Sequence, residues 1–162
     1  MNKNIHISFD LDGTLIDSIP LMKSSWQNVN KKLNLKIGWE KYRSNIGLDF
    51  DEICENLGLT SEKIRIKKMY FDYNKKNVDK ITLFPRVREL ISNIEKNKIS
   101  WSIITSKPKY TAKDIISLFE LEPEIMICCD DVSKGKPNRE SSVLLKNYYK
   151  NREFLDFFYV GD

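Results

Sequence analysis

The feature that most restricts how this chain can fold is a series of apolar runs. Each is no longer than a strand, and each ends on a cluster of polar residues. The runs are Ile-His-Ile-Ser-Phe at 5–9, Trp-Ser-Ile-Ile at 101–104, the stretch 125–129 and the stretch 157–160. Runs of this length suit buried strands. The segments between the later runs have helical spacing instead: Val87, Leu90, Ile91 and Ile94, then helices expected at about 109–119 and 138–149. Alternation of this kind predicts an α/β protein with a doubly wound parallel sheet covered by helices on both faces.

The first strand is followed by something different. Met22, Trp26, Val29 and Leu33 recur at helical spacing behind Ser18, a residue suited to an N-cap. A second helix is expected from Asp49, where Glu52 completes a capping-box-like pair and Phe50, Ile53, Cys54 and Leu57 form one face. A third carries Ile66, Met69, Tyr70 and Tyr73. Residues 18–82 therefore read as an inserted all-helical unit, and 1–17 with 83–162 as the α/β core.

Composition narrows the partners. With 162 residues, 41% hydrophobic and 31% charged, the chain is sized for one folded core with an insertion. Its apolar runs fall far below the roughly 18 residues of a membrane-spanning helix, and Asp10 and Asp12 arrive before a secretory signal could form. A cytoplasmic protein with no membrane contact is expected. Cys54, Cys128 and Cys129 form no CxxC pair, so they read as reduced core residues. The net charge of +4 is too small for a nucleic-acid binder, and Lys63, Lys67, Lys68, Lys75 and Lys76 read as a solvated helix face. The basic excess belongs to residues 18–82, with 13 Lys and Arg against 8 Asp and Glu. His6, Trp26, Trp101 and the aromatic cluster at 154–159 read as strand or core residues without chemistry.

In parallel sheets, ligands bind beyond the carboxyl ends of the strands. Beyond the four runs of this chain stand, in turn, Asp10 and Asp12, then Thr105 and Ser106, then Asp130 and Asp131 with Lys134 and Lys136, and finally Asp162. Asp10 and Asp12 are two apart, so on an extended backbone both side chains point the same way. Two such carboxylates repel and call for a hard cation such as Mg2+, to which Asp162 could add an oxygen. A nearby lysine and hydroxyl would hold a phosphate. A calcium loop starting at Asp10 fails, because Thr14 and Leu21 stand where acidic ligands are required.

Phe9-Asp10-Leu11-Asp12-Gly13-Thr14-Leu15-Ile16-Asp17-Ser18 resembles the signature of the haloacid dehalogenase superfamily, most closely its phosphoglycolate phosphatase-like members with a helical cap. Ile103-Ile104-Thr105-Ser106-Lys107 looks like the family's second motif, Gly135-Lys136-Pro137 like its lysine motif, and Tyr159-Val160-Gly161-Asp162 like the start of its acidic fourth motif. The resemblance implies a Rossmannoid core under a cap and a Mg2+-dependent phosphomonoester hydrolase acting on a small phosphorylated metabolite. Asp10 would be the nucleophile that forms an aspartyl-phosphate, and Asp12 the acid and base. Asp10, Asp12 and Asp162 would hold the metal; Thr105, Ser106, Lys136 and Gly13 would hold phosphate. Arg43 or Lys23 could meet the non-reacting end of the substrate. Two alternatives remain at this point, a sugar phosphate mutase using the same aspartates and a weakened phosphate-binding protein. Family members usually continue beyond the fourth motif, so the core is expected to be short and its last strand open to pairing with another chain.

Overall fold

In the computed structural model, the described residues are 5–152 and 156–161. Four parallel strands form the central sheet: β1 (Ile5–Phe9), β4 (Ser100–Ile104), β5 (Ile125–Ile127) and β6 (Asp156–Val160), in the order β5-β4-β1-β6. Register places Phe9 opposite both Ile103 and Val160, and Ile104 opposite Ile127. The carboxyl ends of the strands are therefore level. Asp10 continues the ladder by donating its N–H to the Val160 carbonyl at 2.8 Å, and Thr105 does the same to Ile127 at 2.9 Å.

The two faces of the sheet differ. On one, Phe9, Trp101 and Ile103 pack against α5 (Val87–Lys96) and α6 (Lys109–Leu118) through Val87, Ile91, Ile94, Ala112 and Ile115. Each large apolar side chain buried there contributes roughly 1.5–3 kcal/mol. On the other, Ile104 and Ile127 meet Leu145 and Tyr149 at α7 (Glu140–Tyr148). The expected doubly wound arrangement is what the chain adopts.

After β1 the chain turns through Gly13 and runs along β2 (Ile16–Asp17), which pairs antiparallel with β3 (Thr82–Leu83). Between them lie α1 (Ile19–Leu33), α2 (Trp39–Arg43), α3 (Phe50–Asn56) and α4 (Lys63–Lys76). These helices bury a cluster of their own around Trp26, Val29, Tyr42, Ile66 and Tyr70. Asp49 caps α3 by accepting the N–H groups of Asp51 and Glu52 at 2.9 and 3.0 Å. Ser18 precedes α1 but does not cap it; its hydroxyl is committed to Asp12.

Two further expectations are corrected. Residues 157–159, read as core, lie on a strand that is exposed along its length, Phe158 and Tyr159 at 52% each, because among the described residues β6 pairs only with β1. Phe154 falls outside the described residues. The run at 125–129 is strand only through Ile127, and Cys129–Asp131 is a short 3-10 turn.

The α7 face of the sheet is not purely apolar. Buried His6 engages Ser100 Oγ through Nδ1 and Ser102 Oγ through Nε2, both at 2.8 Å, and Ser8 Oγ lies 2.8 Å from Ser102 Oγ. A neutral imidazole, with one donor and one acceptor nitrogen, fits this layer. Burial lowers the His6 pKa to about 4, with Glu124 acting against that shift and Arg152 with it. The unfolded chain thus takes up a proton that the folded chain refuses, so stability is lost as pH falls from about 6.5 toward 4. Chemical denaturation should show the wild type losing about 2 kcal/mol between pH 7.5 and 5. His6→Gln should flatten that dependence; an unchanged slope would remove His6 as its source.

Candidate active site

The level strand ends place the sequence-predicted side chains around one cleft of about 940 Å³ between the sheet edge and the helical insert. Asp10, Asp12, Gly13, Thr105, Ser106 and Lys136 all line it, and Arg43 stands on the insert side. Lys23 does not line it. Asp162 lies outside the described residues.

Asp10 sits at its centre. Its Oδ1 accepts from Lys136 Nζ at 2.7 Å and from the Leu11 N–H at 2.7 Å. Lys136 also donates to the Ile104 carbonyl at 3.1 Å and to the Tyr159 hydroxyl at 3.0 Å. Burial pushes the Asp10 carboxyl above the ordinary carboxylate range; the Lys136 charge and the hydrogen bonds pull it back without cancelling the shift, and Asp12 adds a smaller upward push. Burial acts to lower the Lys136 pKa, but the charge and hydrogen bond of Asp10 outweigh it and the net shift is upward. Of the two loop lysines singled out in the sequence, Lys136 lines the cleft and Lys134 does not.

Asp12 has different partners. Its Oδ1 accepts from Ser18 and lies 3.0 Å from Lys107 Nζ, with both ionic side chains largely buried. In neither aspartate does Oδ2 accept a hydrogen bond from a described residue. Sequence reasoning missed Lys107, Ser18 and Tyr159 as site residues. Lys107 was legible in principle, because it closes the stretch Ile103-Ile104-Thr105-Ser106-Lys107 and stands two residues beyond Thr105. Ser18 was masked by its helix-start position and Tyr159 by its setting in an aromatic run. A Cβ at position 161 would lie 2.8 Å from the Tyr159 ring, so Gly161 is what lets that ring fold back toward the lysine.

The remaining candidates divide. Thr105 is 4% exposed, and its Oγ1 accepts the Lys107 N–H at 3.2 Å. Gly13, at φ +78°, donates its N–H to the Ile16 carbonyl at 3.0 Å, so its amide serves the turn. The Ser106 hydroxyl donates to the Gly47 carbonyl of the insert at 2.6 Å. Arg43 is 61% exposed and 3.8 Å from Glu40. Asp130 and Asp131 do not join the cleft. Asp130 accepts the Lys109 N–H at 2.6 Å, and Asp131 accepts the Cys128 N–H at 3.0 Å and pairs with the Lys109 side chain, so both tie β5 to α6.

Fold and site together define an α/β protein whose first strand presents a carboxylate pair to two lysines beneath a helical insert. The chain belongs to the family of haloacid dehalogenase-like hydrolases, whose sequence profile matches residues 7–162. It is 33% identical over 135 residues to a candidate PpaX pyrophosphatase of Caldanaerobacter subterraneus subsp. tengcongensis, a match that covers 81% of this chain and 61% of that protein. It is 25% identical over 168 residues to a phosphoglycolate phosphatase of Salmonella typhimurium, covering 86% and 66%. The chain thus spans about two thirds or less of the length of these relatives. Its fold matches that of a candidate phosphoglycolate phosphatase from Lactobacillus plantarum with a TM-score of 0.84 at 21% identity, over all of this chain and 78% of that one. Among the described residues, no helix is long and apolar enough to cross a membrane.

The Asp10–Lys136 contact should be visible in stability. Lys136→Met leaves a largely buried carboxylate without its cation and should cost about 2 kcal/mol in urea unfolding. Asp10→Asn in the same chain should recover part of that loss. Additive single and double variants would show that the pair is not coupled.

Proposed function

We propose that this chain is the catalytic part of a phosphatase that hydrolyses phosphomonoesters of small metabolites through an aspartyl-phosphate. The observation that carries the reading is the Asp10 carboxylate, which lines the cleft and is fixed at the end of β1 through Oδ1 by Lys136 and the Leu11 amide, with Oδ2 accepting from no described residue. Kinship with the PpaX pyrophosphatase and the phosphoglycolate phosphatase supports it.

The chemistry follows from the residues. Asp10 Oδ2 attacks phosphorus; the new Asp10 O–P bond forms as the bond to the leaving alcohol breaks. Protonated Asp12 passes its proton to the departing oxygen, then takes one from the water that attacks the aspartyl-phosphate and frees inorganic phosphate. Ser18 and Lys107 hold Asp12 in place for both transfers. Lys136 and Thr105 meet the phosphoryl oxygens, whose negative charge Lys136 offsets in the transition state.

Among the described residues, no three His, Cys, Asp or Glu side chains form a metal-holding group. The residues nevertheless fit a hard cation, since Asp10 offers a carboxylate and Asp12 a backbone carbonyl on one cleft, which keeps the Asp12 side chain for proton transfer. Bound there, Mg2+ would offset the repulsion between an anionic nucleophile and an anionic substrate. We place Asp162 as its further ligand, Arg43 as a contact for the far end of the substrate, the insert as the cap that chooses it, and the enzyme in the cytoplasm.

An aryl phosphate assay tests the proposal. Purified protein should release inorganic phosphate with Mg2+, lose turnover to a chelator, and lose at least about a thousandfold with Asp10→Asn. Hexose 1-phosphate should give inorganic phosphate rather than an isomer. Absence of turnover on a metabolite panel, or turnover that survives Asp10→Asn, would overturn the proposal.

A further inference from the structure

The insert touches the core at a place that phosphoryl transfer does not require. Residues 45–49, between α2 and α3, reach across the cleft mouth, and Gly47 lines the cleft together with Asp10, Thr105 and Lys136. Ser106 Oγ donates to the Gly47 carbonyl at 2.6 Å. The two residues are 59 positions apart, one following β4 and the other in the insert.

Gly47 has φ +106°, a backbone conformation that residues with a Cβ rarely adopt. Nothing lies within 4 Å of where its Cβ would stand, so crowding does not explain a glycine there; the backbone conformation does. A second approach lies beside it. A Cβ at Gly135, next to Lys136, would come 3.3 Å from Asp49 Oδ2. The same loop thus meets the core at two places, at Ser106 and before Lys136.

We propose that the Ser106 hydroxyl is a latch rather than a phosphate ligand, a positioning group that holds the 45–49 loop over the cleft and so sets the fraction of time the site is closed. The hydroxyl's one proton is spent on Gly47, so that oxygen has only acceptor lone pairs to offer a phosphate, itself an acceptor. Thr105 beside it stays inside the site, accepting from the Lys107 amide. Neighbouring hydroxyls thus have separate tasks, one inside the site and one at its door. The assignment rests on the hydrogen bond and the loop, and stands whether or not the chain hydrolyses phosphate esters.

Amide hydrogen exchange tests it without any need for turnover. The Ile46 N–H is bonded to the Arg43 carbonyl at the end of α2 and the Leu48 N–H to the Asn45 carbonyl within the loop, and both report its opening. Ser106→Ala should speed exchange across 45–49 by about three- to tenfold and leave β1 and β4 unchanged. Ser106→Thr, which keeps the hydroxyl, should restore the slow rate. Inorganic phosphate, as the probe ligand, should still protect Thr105 and the Lys136 segment in Ser106→Ala. The latch is overturned if Ser106→Ala leaves loop exchange unchanged, if it abolishes protection by inorganic phosphate, or if exchange rises equally in β1 and β4.

Discussion

Everything at the sheet edge depends on keeping a carboxylate at the end of a buried strand. Asp10 follows directly on Phe9, which is 2% exposed, so its side chain starts from within the core and reaches only the floor of the cleft. Removing a carboxylate from water costs several kcal/mol unless donors replace the lost hydration. Lys136 and the Leu11 amide are those donors. Lys136 in turn is held by a carbonyl from β4 and a hydroxyl from β6. The strands on either side of β1 thus cooperate in holding one ammonium group in front of one carboxylate. The level register that brings Ile103 and Val160 beside Phe9 is what makes that reach possible.

Around this centre the small polar side chains are allocated with little redundancy. Ser18 gives up a helix cap to hold Asp12. Asp49 uses one oxygen to cap α3 and turns the other toward Gly135. On the far face of the sheet, Ser100 and Ser102 complete the hydrogen bonds of His6 and let a histidine sit where an aliphatic residue would otherwise be expected. The contacts of His6 with Ser100 and Ser102, and the approach of Asp49 to Gly135, tie segments remote in sequence and so pin the global arrangement locally.

The sheet was legible because its strands are short apolar-rich runs that end on polar clusters, and the helices because an amphipathic face needs regular spacing. The positions of Asp10, Asp12 and Thr105 followed from where those runs stop, whereas Lys136 was separated from Lys134 by the resemblance of Gly135-Lys136-Pro137 to a family motif. What escaped was the choice of partner for groups with several options. A hydroxyl such as Ser18 can cap a helix or hold a carboxylate, and one-dimensional spacing does not tell which. Asp130 and Asp131 follow a strand just as Asp10 does, yet a short 3-10 turn diverts them to the start of α6. Phe158 and Tyr159 have core composition but lie on an edge strand, and exposure there is set by the neighbouring strand order rather than by residue type.

The two-residue ladder of β2 and β3 has a consequence beyond shape. Ile16 lies opposite Leu83 and Asp17 opposite Thr82, so the outgoing and returning chain are stitched together at the base of the insert. To the sheet, everything between is a loop of fixed end-to-end distance. Lengthening such a loop is cheap, at about 0.6 kcal/mol for each doubling. The clip therefore separates two evolutionary problems: the carboxylate machinery beneath can stay constant while the material spliced between its ends is lengthened, shortened or exchanged.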